Sequence, residues 1–413
     1  MQVRNWQKNV VLCAASLVFV SLLGEVVARL LWEPGSEASV IQADPLLGWC
    51  LRPHSQMYSV DSDRALRYHI EINDLGMRDR GRSALKPPGM RRVLFLGDSM
   101  VFGTGIEPGE RCSDRLEALL GPEAEVLNSG VGGWGTDQEY LYLCRQGFAL
   151  QPDVVVLGMC VLNDILNDML SHELFGAAPK PRFGLDAGRL VLEPAAPRPA
   201  PPAAERLEDV LKHSRLLYYI GKHARELRAE MRARAARQGA AAAQAAALRA
   251  KAPAPYYPED LAADISHWSV FRVPYTPRFE SAFQVTEALV AAVSESCAAR
   301  GVPLVLFAWP QKVEVDSLAR AAELRHYGYE ASQFDLNAPY ARLRALTGRL
   351  QVPFVYPLES FRAAEPRGSL FFARDGHPAA FGHGLAAEAL APVVRRALTA
   401  GVRPHDEGHV QRR

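Results

Sequence analysis

A serine closes a short apolar run in this chain, which reads Arg92-Val-Leu-Phe-Leu-Gly97-Asp98-Ser99-Met100. A hydroxyl is a weak nucleophile until a base shares its proton, so Ser99 carries chemistry only with a partner from elsewhere in the sequence. One is available near the far end. There Phe371-Phe-Ala-Arg-Asp375-Gly376-His377-Pro378 sets a carboxylate two residues before an imidazole in a Gly-Pro loop. A tight turn at Gly376 brings Asp375 to the Nδ1 side of His377, which fixes the tautomer and leaves Nε2 to accept the Ser99 proton.

The elements that must position these groups form an α/β alternation. Arg92 to Leu96, Glu125 to Asn128, Asp153 to Gly158, Val302 to Ala308 and Val352 to Tyr356 are short apolar runs of the kind buried on both faces of a sheet. Helical stretches separate them, including Arg111 to Leu120, Asp137 to Gln146 and Ser281 to Arg300, and Phe381 to Leu398 forms the last helix. The pattern predicts a three-layer α/β/α domain with a largely parallel, flavodoxin-like sheet. Ser99 then stands at the carboxyl end of the first buried strand, where open parallel sheets place their ligands.

The α/β domain is expected over residues 91–400, with an insertion at 171–275 and a tail at 401–413. The insertion opens Pro-rich, and within it Lys180 to Glu193 reads as a hairpin turning at Asp186 to Gly188. Glu205 to Ala252 reads as a helical, finally Ala-rich arm whose many Lys and Arg residues and lack of a wide apolar stripe suggest a solvated element. In the lead-in, residues 33–90, the alternating stretch Tyr68-His69-Ile70-Glu71-Ile72 reads as one strand before a turn at Asn73-Asp74.

Residues 1–32 form a membrane anchor in this reading. Arg4 and Lys8 precede an apolar stretch from Val10 that resumes, after Glu25 and Arg29, to end at Trp32. As a helix it is about 34 Å long, against a hydrocarbon core of roughly 30 Å. Glu25 and Arg29 stand four apart on one face and can pair. The basic residues in front place the N-terminus in the cytoplasm and the rest of the chain on the extracytoplasmic, periplasmic side. Cleavage of the segment as a signal peptide is the rival reading.

Composition narrows the function. Lys plus Arg (47) nearly cancels Asp plus Glu (46), so the charge footprint of a nucleic-acid binder is missing. Six cysteines lie far apart without a C-x-x-C pair, which indicates neither a zinc site nor a disulfide framework. No metal or other cofactor is expected.

The chain resembles the SGNH (GDSL) hydrolases from about Asn73 to the final helix, through four blocks in family order. They are Gly97-Asp98-Ser99 after a strand with Phe102-Gly103 downstream, Asn128-Ser-Gly-Val-Gly-Gly133-Trp-Gly135-Thr, Asn163-Asp164, and Asp375-Gly-His377-Pro. The resemblance implies that Ser99 attacks, with His377 as base and Asp375 as its acid. It also implies that the Ser99 amide, the Gly133 amide and the Asn163 side chain stabilise the oxyanion. Acyl transfer needs such donors on physical grounds alone, because charge develops on the carbonyl oxygen.

Asp44-Pro-Leu-Leu-Gly-Trp49 and Ile72-Asn-Asp-Leu-Gly-Met-Arg-Asp79 are similar to the lead-in of membrane-tethered bacterial members. Two positions depart from the family pattern. Val161 stands where a glycine usually precedes the Asn of the third block, and Arg374 stands where the last block has its Asp, so Asp375 is carried over one position along. This shorter Asp-to-His spacing is similar to that of SGNH-like alginate acetyltransferases.

The expected activity is serine esterase action on acyl esters, above all O-acetyl esters, of an extracytoplasmic glycan. Glycan O-acyl transfer, lipid or thioester hydrolysis, and a noncatalytic glycan-binding module are the alternatives. Gly130-Val-Gly132-Gly-Trp-Gly135 also satisfies the dinucleotide-binding pattern, but the acidic residue expected at the end of the next strand is missing from Leu157 to Val161. His383 is given no role.

Overall fold

The computed structural model describes residues 2–31, 40–60, 67–174, 178–196, 214, 216–217, 267–373 and 376–400. The chain divides into two compact units, one of residues 1–37 with 198–253, the other of residues 38–197 with 254–413.

In the first unit, α1 (Gln2–Leu31) is long and apolar enough to cross a membrane, with a mean hydropathy of 2.4 over its most apolar window. The expected pair forms: Arg29 Nε donates to Glu25 Oε1 at 2.7 Å. The other oxygen of Glu25 accepts from Ser214 Oγ at 2.8 Å and from the Leu216 N–H at 3.0 Å. Trp32 and the helical arm at 205–252 lie outside the described residues, apart from 214 and 216–217.

The second unit opens with two hairpins, β1 (Ile41–Asp44) with β2 (Gly48–Leu51) and β3 (Gln56–Val60) with β4 (Arg67–Glu71). Sequence reading anticipated only β4. The other three are four or five residues long and lack a clean apolar alternation, so pairing rather than pattern makes them strands.

Five parallel strands then build the main sheet: β5 (Arg91–Gly97), β6 (Ala124–Gly130), β7 (Val154–Met159), β10 (Leu304–Ala308) and β11 (Phe354–Val355). Their order, β11-β10-β7-β5-β6, is the flavodoxin-like order expected from the sequence. Alternate residues point to opposite faces. Leu94, Leu96, Leu127, Val155, Leu157 and Leu306 pack into one core, under α4 (Thr136–Arg145), α5 (Val161–Asn167), α6 (Pro277–Ala298) and, farther along, α8 (Ser317–Tyr327) and α9 (Ala338–Leu350). Val93, Phe95, Val126, Val156, Val305 and Phe307 pack into the other, under α3 (Cys112–Leu120), α10 (Leu358–Ala364) and α11 (Ala380–Ala400). Each fully buried Val, Leu or Phe contributes about 1.5–3 kcal/mol, so the paired faces account for why unbroken apolar runs become central strands.

The inserted hairpin forms where the sequence placed it. β8 (Arg182–Asp186) pairs with β9 (Arg189–Glu193), and the two-residue connection Ala187-Gly188 has φ of 47° and 77°, the mark of a type I′ turn. Phe183 packs on Val285 and Leu289 of α6. The six cysteines are free.

Candidate active site

Three glycines prepare the floor of the site. Gly97, Gly130 and Gly158 stand side by side in register at the carboxyl ends of β5, β6 and β7. The one-turn helix α2 (Ser99–Phe102) lies directly on this row. A Cβ on Gly130 would stand 2.2 Å from the Phe102 amide nitrogen, and one on Gly97 would stand 2.2 Å from Val101 Cγ2, so only glycine admits the helix this close. Asn128 ties the arrangement from below, donating to Val101 O at 2.8 Å and accepting the Gly130 N–H at 3.0 Å. The buried Arg78 guanidinium ties it from the side through the carbonyls of Phe102 and Gly103, both at or below 3.0 Å.

Ser99 is the first residue of α2 and is partly exposed, whereas its neighbours Asp98 and Met100 are buried. His377 Nε2 lies 2.9 Å from Ser99 Oγ, so two groups far apart in sequence meet here. A short loop delivers the imidazole. Phe372 N–H donates to His377 O at 2.8 Å and Ala379 N–H to Leu370 O at 2.8 Å, while Gly376 turns the chain with φ +75°. Lys312, in the short helix α7 (Lys312–Val315), clamps the loop from outside by donating to the carbonyls of Phe372 at 3.2 Å and Ala373 at 2.6 Å. Arg374 and Asp375, and with them the expected acid, lie outside the described residues.

Asp98 links the nucleophile's turn to the third block. Its Oδ1 accepts the Met100 N–H at 2.8 Å as the cap of α2, and its Oδ2 accepts from Asn163 Nδ2 at 2.5 Å. Burial pushes this carboxyl up, while the Met100 N–H, the Asn163 amide and nearby His377 oppose the shift. One N–H of Asn163 is thus committed to Asp98, and the second has no acceptor among the described residues. Sequence reading saw Asp98 only as part of a motif. Its partner is remote in the chain, and no local signal marks that bond.

Gly133 sits in the loop after β6 with φ +79°, partly exposed like Ser99, Asn163 and His377. The dinucleotide reading of this loop fails on space. Trp134 is 1% exposed and fills it, and the first amides of α4 are already engaged, Asp137 N–H by Asp168 Oδ1 at 3.2 Å and Gly135 N–H by Gln138 Oε1 at 3.3 Å.

Under α4 and α5 lies a set of buried acids to which sequence reading assigned no role. Lys180 pairs with Asp137, Thr286 Oγ1 donates to Asp168 Oδ2 at 2.6 Å, and the Cys160 N–H donates to Asp164 Oδ2 at 2.8 Å. Neither carboxylate oxygen of Glu139 has a partner among the described residues. Burial, reinforced by neighbouring carboxylates, holds Glu139 and Asp164 well above the usual carboxylate range and raises Asp168 to about 7. His383 is structural: its Nδ1 accepts the Cys112 N–H at 3.0 Å, its ring meets Trp309 edge to face, and burial lowers it to about 3.

No family model matches the chain, and neither does any curated protein. Solved structures do show similarity. A catalytic mutant of an acetylxylan esterase from Geobacillus stearothermophilus is 12% identical, with 76% of this chain and 96% of that one covered at a TM-score of 0.36. A GDSL-like lipase from Bacteroides thetaiotaomicron is 11% identical over 76% and 89% of the two chains, TM-score 0.34. A lipase/acylhydrolase from Enterococcus faecalis is 10% identical over 74% and 96%, TM-score 0.35. What this chain can do chemically is carried by the geometry around Ser99.

Proposed function

We propose that the protein is a serine esterase of SGNH type, held to the cytoplasmic membrane by α1 with its catalytic domain on the periplasmic side. Its substrates in this reading are O-acetyl or other short acyl esters of an extracytoplasmic glycan. The single observation that carries the chemistry is the 2.9 Å approach of His377 Nε2 to Ser99 Oγ at the carboxyl end of a parallel sheet. Ser99 Oγ attacks the ester carbonyl while His377 takes its proton. The Ser99 and Gly133 amides and the second N–H of Asn163 receive the oxyanion, and collapse expels the alcohol with a proton from His377. Water activated by His377 then releases the acid and frees Ser99. Asp375 is the group that orients His377. The glycan preference is supported by the exported setting that α1 suggests.

The test is covalent. A fluorophosphonate probe should label Ser99 in the wild type, not in Ser99→Ala, and weakly in His377→Ala, with both variants folded. Because such groups act as a unit, the double variant should turn over p-nitrophenyl acetate little more slowly than either single one. A panel of esters and acetylated glycans, run with and without a sugar acceptor, separates hydrolysis from acyl transfer. A wild type that resists the probe and every ester leaves the binding-module reading standing.

A further inference from the structure

The turn that carries the Gly133 amide is gripped by a residue of the lead-in hairpin. Val131 to Trp134 form a β-turn, closed by the Trp134 N–H donating to Val131 O at 3.2 Å, with φ +79° at its third residue, Gly133. A positive φ at that position marks a type II turn, whereas the type I turn with the same ends has a negative φ there. The two forms differ by rotation of one peptide unit, here that between Gly132 and Gly133. Both flanking residues are glycines, so no Cβ obstructs the rotation. In a trans peptide the C=O and N–H point in opposite directions, so whatever holds the Gly132 carbonyl also aims the Gly133 N–H.

That carbonyl is held. Trp49 Nε1–H, from β2, donates to Gly132 O at 3.1 Å. The indole is 3% exposed, and its own residue is fastened in return: Trp134 Nε1–H donates to Trp49 O at 3.0 Å. Gln138 Nε2 donates to Leu47 O at 2.7 Å, fixing the turn of the same hairpin to α4. The six-membered ring of Trp49 also lies 3.4 Å from where a Cβ on Gly133 would stand.

We propose that Trp49 is a positioning residue that locks the 132–133 peptide in the orientation presenting the Gly133 N–H to the substrate oxygen, so that the lead-in hairpin sets the oxyanion hole. This rests on the esterase reading of Ser99. A flipped peptide would turn a carbonyl oxygen toward the developing negative charge, replacing a hydrogen bond by repulsion. Trp49 itself touches no reacting atom, and its effect falls on kcat through the turn.

The experiment installs benzothienylalanine at Trp49, which keeps the bicyclic ring and removes the N–H, alongside Trp49→Phe. Full-length protein in detergent is assayed with p-nitrophenyl acetate and its thionoester counterpart. Sulfur accepts hydrogen bonds weakly, so a hole that loses a donor penalises the ester more than the thionoester. The expected result is kcat on the ester lowered about 10- to 100-fold, KM within about twofold, a reduced ester-to-thionoester ratio, and unchanged thermal unfolding of the benzothienyl variant. An unchanged kcat in that variant would overturn the role of Trp49 and leave the esterase reading intact. Equal losses on the two substrates would overturn it too, leaving Trp49 a packing residue. A wild type without turnover or labelling of Ser99 would remove both readings.

Discussion

Asn163 Nδ2 donates to Asp98 Oδ2 at 2.5 Å, which joins the residue before the nucleophile to α5 across the end of β7. Among the described residues Asp98 is the only acceptor for that amide, so it governs which way the second N–H of Asn163 faces. Asp98→Asn keeps the shape but offers the Asn163 amide a competing donor. The expected result is kcat lowered about 10- to 100-fold with little change in KM, since a misaimed donor acts on the transition state. Wild-type kcat in a folded variant would show that Asn163 needs no such orientation.

Asp375 is proposed as the orienting acid from its place beside Gly376, whose φ of +75° supplies the turn. Asp375→Asn should leave the fold intact and lower kcat by roughly 1,000- to 10,000-fold, because an amide favours the wrong imidazole tautomer. Near-normal turnover would send the role to another carboxylate.

The buried acids make stability depend on pH. Glu139, Asp164 and Asp168 all have folded pKa values raised above their unfolded ones. In that case the folded state holds more protons, and ∂ΔG of unfolding with pH is negative between the two values. Their stabilisation is complete below about pH 4; it is lost as the pH rises through about 7 for Asp168, and as Glu139 and Asp164 ionise well above the usual carboxylate range. Urea midpoints should therefore fall between pH 5 and pH 8. Glu139→Gln, which cannot ionise, should flatten that fall, and an unaltered slope would mean Glu139 is not protonated in the folded state.

Topology is open to a direct check. A reporter that is active only after export, fused after Ala400, should be active, and the protein should fractionate with membranes. Reporter activity confined to the cytoplasm would refute the orientation, and a mature N-terminus within or just after α1 would mean cleavage.

The central strands were legible because burial on both faces forces short unbroken apolar runs such as Val154 to Leu157. Ser99 and His377 were legible because each sits at a strand end or helix entry with turn residues around it. Trp49 was not. Its indole matters through one bond to Gly132 O, formed between segments that sequence alone does not bring together. Asp98, Lys312 and Arg78 were opaque for the same reason: each acts on backbone or side chains distant along the chain.

The row of Gly97, Gly130 and Gly158 ties the chemistry to the completion of the sheet. No pair of neighbouring segments can assemble the site alone, because the seat for α2 exists only once β5 lies between β6 and β7 in the correct register. A slip of one residue would put a side chain where a hydrogen must be. Turnover should then be an all-or-none reporter of refolding: a collapsed species with helices formed but strands unpaired would be silent, and activity should return with the slow, long-range pairing phase rather than with early helical signal.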